Sequence, residues 1–145
     1  MSDIENSFPN IAQEGYTICS PKSIEYNCIA WAADDNSKWW WPDIDLLYYW
    51  PENLPREATL ETFVAMFSEK GYKICDNAEL ETEYEKVAIY TNETGVTHAT
   101  KQLESGKWTS KLGPNHDIEH TLIGLFGKEY GRVAQILKRK KLKIS

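Results

Sequence analysis

The stretch Val87–Leu112, VAIYTNETGVTHATKQLESGKWTSKL, decides the fold. Val87-Ala88-Ile89-Tyr90-Thr91 is β-branched and aromatic and reads as a strand, and Asn92-Glu93-Thr94-Gly95 supplies turn residues. Residues 96–103 form a second strand, Ser105-Gly106 a second turn, and residues 108–112 a third strand. Three strands joined by short turns make an antiparallel meander. His98 sits on the middle strand among small residues, Val96, Thr97, Ala99 and Thr100, which let another element approach. The second turn sets its neighbours. A two-residue turn pairs Glu104 with Lys107 and gives His98 the face of Thr109 and Lys111. A three-residue turn, Ser105-Gly106-Lys107, pairs Glu104 with Trp108 and gives it the face of Val96, Trp108, Ser110 and Leu112. The second register gathers the large apolar groups and is preferred.

Upstream of the meander, Ser23 reads as the N-cap of a helix over about residues 24–33, with Tyr26, Ile29, Ala30 and Ala33 at helical spacing. Cys28 falls in its first turn, where a helix dipole favours thiolate. Asp34 to Ser37 end that helix. Trp39-Trp40-Trp41-Pro42 and Tyr48-Tyr49-Trp50-Pro51 follow, with four of the six tryptophans within twelve residues. The segment has neither helical nor strand period and reads as an ordered aromatic loop. Thr59 caps a helix whose apolar face is Leu60, Phe63, Val64 and Phe67, with Gly71 as its C′ residue. Residues 72–75 read as a short strand. Gly113-Pro114-Asn115 breaks the meander, Asp117 reads as the cap of a short helix carrying Ile118, Leu122 and Ile123, and residues 131–137 read as a strand. Residues 1–20 read as an irregular lead-in and 138–145 as a basic, solvated tail.

The chain has 145 residues, 41% hydrophobic and 26% charged, which suits one soluble globular domain spanning 1–145. A net charge of −6 and a pI near 5.1 argue against nucleic-acid binding. No apolar run approaches membrane-spanning length, and the acidic N-terminus lacks signal-peptide character, so the expected compartment is the cytoplasm, with signal-less export left open. Cys19, Cys28 and Cys75 make no disulfide framework and no CxxC pair. No cofactor or metal is expected. His116 and His120 have an i, i+4 spacing, but no HExxH glutamate accompanies them. Glu79, Glu81, Glu83 and Glu85 read as a solvated face.

A cysteine on a helix followed by a histidine on a strand suits thiol attack on an acyl carbon, with Cys28 as nucleophile and His98 as base. Ser110 is the nearest group to orient the imidazole in the preferred register, and His116, Asp117 and His120 compete for that role. Tyr26, Asn27 and the wall Trp39-Trp40-Trp41 are the candidate substrate-binding residues. The expected architecture is α+β, with the Cys28 helix packed on an antiparallel sheet.

The run YNCIAWA at Tyr26–Ala32, Trp39–Pro42, Thr97-His98-Ala99, WTSKLG at Trp108–Gly113 and Ile118-Glu119-His120 resemble an uncharacterised bacterial domain family, from about residue 20 to 137. More distantly the chain resembles NlpC-like papain-fold peptidases and amidases. Cys28, His98 and Ser110 fall on that family's three site positions. Serine stands where histidine, asparagine or aspartate is usual, and Ile29-Ala30 replace the customary serine and glycine. The resemblance implies a papain-like (NlpC-like) fold and hydrolysis, acyl transfer or deamidation of an amide in a peptide, protein or cell-wall substrate. The alternative is a non-catalytic binding or immunity-type module that uses the tryptophan-rich surface.

Overall fold

The computed structural model describes residues 3–20, 26–35, 37–112, 117–127 and 129–141. The meander forms, and more strands join it than the sequence suggested. Strands β1 (Tyr16–Ser20), β2 (Lys73–Cys75), β3 (Tyr84–Asn92), β4 (Gly95–Gln102), β5 (Trp108–Lys111), β6 (Asp117–His120) and β7 (Arg132–Lys140) build one seven-stranded sheet in the order β1-β6-β5-β4-β3-β7-β2. All neighbouring pairs are antiparallel.

Helices are subordinate to this sheet. Among the described residues the α-helices are α1 (Asp3–Ser7), α2 (Ile11–Glu14), α3 (Cys28–Ala32) and α4 (Leu60–Ser68). Only α4, with nine residues, forms two full turns. Thr59 caps it by accepting from the Thr62 N–H at 3.3 Å, and Phe63, Met66 and Phe67 are buried beneath it. The expectation of a papain-like helix-on-sheet domain is therefore overturned: the fold is a small, sheet-dominated one. The physical reason lies in chain length per element. The cysteine helix has five residues, too few to make a layer of its own, and burial is supplied by strands and loops instead.

Side-chain alternation gives the sheet two cores. On one face Val87, Ile89, Ala99 and Leu137 pack with Cys28, Ile29 and Ala30 of α3, Phe63 and Phe67 of α4, and Trp40 and Trp50. On the other Tyr90, Leu112 and Ile118 pack with Ile4, Phe8, Ile11 and Leu125.

Several expectations change here. The lead-in over residues 1–20 is not irregular: it forms α1, α2 and the edge strand β1. Asp117 starts strand β6 rather than a helix, because β5 offers it a ladder from Lys111↔Asp117 to Trp108↔His120. His120 therefore lies on a strand, which removes the helical His-x-x-x-His spacing; His116, like Ser23 and Gly113-Pro114-Asn115, lies outside the described residues. Residues 138–140 belong to β7 instead of a solvated tail. Lys138 pairs with Glu81 at 3.3 Å, and Arg139 pairs with Glu85 and with Asp34. Glu81 also holds the buried Lys86 at 2.7 Å, so two of the alternating glutamates have fixed partners.

Candidate functional site

Asn27 sets the start of α3. Its backbone is extended, and its Oδ1 accepts from Ala30 N–H at 3.2 Å and from Trp40 N–H at 3.1 Å. Its Nδ2 donates to the Trp40 carbonyl at 2.7 Å. One buried amide thus caps the helix and pins the aromatic loop to it. Trp40 is buried, with its indole N–H on Asp35 at 2.8 Å. Trp41 packs on Phe63, and Trp39 on Tyr48. Asn27, Trp40 and Trp41, expected to meet substrate, serve the core.

Cys28 is the first residue of α3 and is 6% exposed. Burial pushes its thiol up to about 11, against smaller opposing effects of a hydrogen bond from the Ala99 backbone, the N–H groups at the helix start and the charge of Lys111. Five residues carry too small a dipole to offset desolvation, so the depressed thiol pKa expected from the helix start is not what the fold provides.

The hairpin register places its base. Leu103 N–H donates to Lys107 O, and Lys101 and Gln102 face Thr109 and Trp108. The turn is three residues, Glu104-Ser105-Gly106, one position earlier than expected. The parity survives, and His98 shares its face with Ser110. The β4–β5 ladder stops at Lys101↔Thr109; continued, it would join Ala99 to Lys111, but these are unpaired. The thiol meets the Ala99 backbone in that gap.

His98 is fully buried. A bulge at Thr97 precedes it, where the β3–β4 register shifts between Tyr90↔His98 and Thr91↔Val96. Its ring stacks on Tyr130 with centroids 4.0 Å apart and planes 9° apart. Its Nε2 lies 2.9 Å from Ser110 Oγ, which lies 2.7 Å from His120 Nε2 and 2.6 Å from Thr100 Oγ1. The proton placement follows from the ends of this chain. His120 Nδ1 is 2.7 Å from the Thr121 carbonyl, which only accepts, so Nδ1 carries the hydrogen and Nε2 accepts. Thr100 donates to Thr109 O at 2.8 Å. Ser110 has one hydrogen, which its contacts with Thr100 and His120 use, so His98 Nε2–H donates to Ser110. His98 Nδ1 is left as a bare lone pair with no hydrogen-bond partner among the described residues. Burial, then the charge of His120, hold the His98 pKa well below the usual histidine value; burial also holds His120 down to about 4.

The structure therefore brings His98, Ser110 and His120 together. It places Cys28 one residue along β4 from His98, on the Ala99 backbone, with no hydrogen bond between sulfur and imidazole. Tyr26 and Asp117 meet each other instead: the phenol hydroxyl is 3.1 Å from both carboxylate oxygens. Lys111, Thr100 and Tyr130 were missed as site residues. A strand reading WTSK carries no apolar alternation to mark it as buried, yet all four residues are.

The fold defines a sheet-dominated domain with the polar chain His98–Ser110–His120 buried within it. The chain belongs to the family described as Domain of unknown function (DUF7689), whose match covers residues 17–138. No curated protein and no solved structure matches it. Among the described residues no helix is long and apolar enough to cross a membrane.

Proposed function

We propose that the domain is a cysteine hydrolase or acyltransferase acting on an amide, with Cys28 as nucleophile and His98 as base. The observation that supports this reading is the bare, buried Nδ1 of His98. Leaving such an acceptor unpaired costs about 1–3 kcal/mol. An imidazole anchored at Nε2 and open at Nδ1 is what a general base requires. The thiol and the imidazole both rest neutral. As sulfur bonds to the acyl carbon, the thiol proton passes to Nδ1. His98 then returns a proton to the departing amine as the carbon–nitrogen bond breaks, and water or another nucleophile takes the acyl group from sulfur. Ser110 and His120 hold the ring through both transfers.

A small activated ester tests this without knowledge of the substrate. Treated with p-nitrophenyl acetate at pH 7, the protein should carry acetyl on Cys28 and not on Cys75, by peptide mass mapping. His98→Ala should slow that acylation by about 10²–10⁴-fold. Equal acetylation of both cysteines, or an unchanged rate in His98→Ala, would sink the proposal.

One observation favours the second reading, a non-catalytic binding module. Asp43 accepts from Leu47 N–H at 2.8 Å and Tyr48 N–H at 3.1 Å and is clamped by Arg56 at 3.1 Å. The loop so braced holds Ile44, Leu46 and Leu47 at 84%, 70% and 73% exposure. A fixed apolar loop in solvent is the surface such a module would offer a peptide or protein. Acetylation of Cys28 that depends on His98 decides for the enzyme.

A further inference from the structure

The geometry points to Lys111 as the counter-charge of Cys28, the cation that stabilises negative charge when it develops on the sulfur. The inference rests on Cys28 as the reacting group and adds a residue that the His98 chemistry does not include.

Lys111 is fully buried on β5, at the position that would face Ala99 had the β4–β5 ladder continued. The gap that admits the thiol is therefore bounded by Ala99 on one side and Lys111 on the other. On its other edge Lys111 is paired in register with Asp117. Its Nζ lies 5.0 Å from the centre of the Tyr26 ring, two residues before Cys28, and the Tyr26 hydroxyl binds the Asp117 carboxylate at 3.1 Å. A buried lysine is costly, and an apolar residue of similar volume commonly serves stability better. Tyr26 and Asp117 hold this one in place. Burial pulls the Lys111 pKa below its usual value, and Asp117 and then Cys28 oppose that by favouring the charged lysine, while Lys111 in turn favours the Cys28 thiolate. Among the described residues, Tyr130 and His98 do not favour ionisation of the sulfur. Tyr130 is neutral, its hydroxyl pushed far up by burial and by Cys28, and His98 is neutral.

The test is the rate of Cys28 alkylation by iodoacetamide at pH 8, mapped by mass spectrometry, with Cys75 read in the same sample as a gauge of unfolding. Lys111→Met should slow Cys28 about tenfold, and Lys111→Arg should restore it to within about threefold, since either cation supplies the field. If Lys111 serves packing alone, Lys111→Met leaves the Cys28 rate alone or raises Cys28 and Cys75 together, and either result overturns the inference. His98→Ala in the acylation assay reports separately. Loss of the lysine effect with the histidine effect intact defeats only this inference, and the reverse defeats only the hydrolase reading.

Discussion

Gly131→Ala should lower stability by about 3–5 kcal/mol, the range reserved for backbone strain and overpacking that cannot relax. Gly131 has φ +77, a region that favours glycine. A methyl group there would stand 1.9 Å from the Thr91 carbonyl oxygen and 2.7 Å from its carbon. Both obstacles are backbone, and Thr91 is paired with Arg132 in the β3–β7 ladder. Gly131 also exchanges two hydrogen bonds with Gly127, at 2.7 and 3.2 Å. Relief of the clash must therefore tear the start of β7 from β3 and move Tyr130, the residue stacked on His98. A thermal melt should show a fall of roughly 10 °C or more. A melt within about 2 °C of the parent would mean that the β3–β7 junction is not built as described.

The second large effect belongs to Asn27. Asn27→Ala should cost about 3–7 kcal/mol, from the loss of an N-cap, about 1 kcal/mol, and from two buried backbone groups of Trp40 left unpaired, each about 1–3 kcal/mol. Asn27→Asp keeps the acceptor for Ala30 and Trp40 N–H and loses only the bond to Trp40 O, so it should cost less. Intrinsic tryptophan fluorescence gives a second readout. Asn27→Ala frees the loop holding Trp39, Trp40 and Trp41, and emission should shift to the red. A variant with parental emission and stability would show that the loop is held by something other than the amide.

How much of this was legible in the sequence varies by element. The β3–β4–β5 meander follows from local chemistry: β-branched runs separated by Asn-Glu-Thr-Gly and Ser-Gly. The α4 helix follows from Thr59 and the spacing of Phe63 and Phe67. His98 and Ser110 were placed on one face because parity survives a shift of two in register. Asp117–His120 was misread because a four-residue polar run, DIEH, becomes a strand only through the long-range ladder to β5. The papain-like architecture failed because resemblance at Cys28 and His98 says nothing about helix length. The thiol pKa was misjudged because burial is a tertiary quantity, and it outweighs the dipole of a five-residue helix. Lys111 was passed over because a lysine on a strand reads as solvated.

Transfer of the Cys28 proton to His98 during attack should be visible in the pH dependence of Cys28 acylation by p-nitrophenyl acetate. The base form of His98 is full throughout pH 6.5–8, since its pKa lies well below the ordinary value, so the base-assisted rate is flat there. The thiolate route instead grows about tenfold per pH unit up to the thiol pKa of about 11. The parent protein should show a plateau near neutral pH that gives way to a rise in alkali. In His98→Ala the plateau should vanish and the tenfold-per-unit rise should run through the whole range. A parent profile that already rises tenfold per unit from pH 6.5, superimposable on that of His98→Ala, would contradict proton transfer to His98.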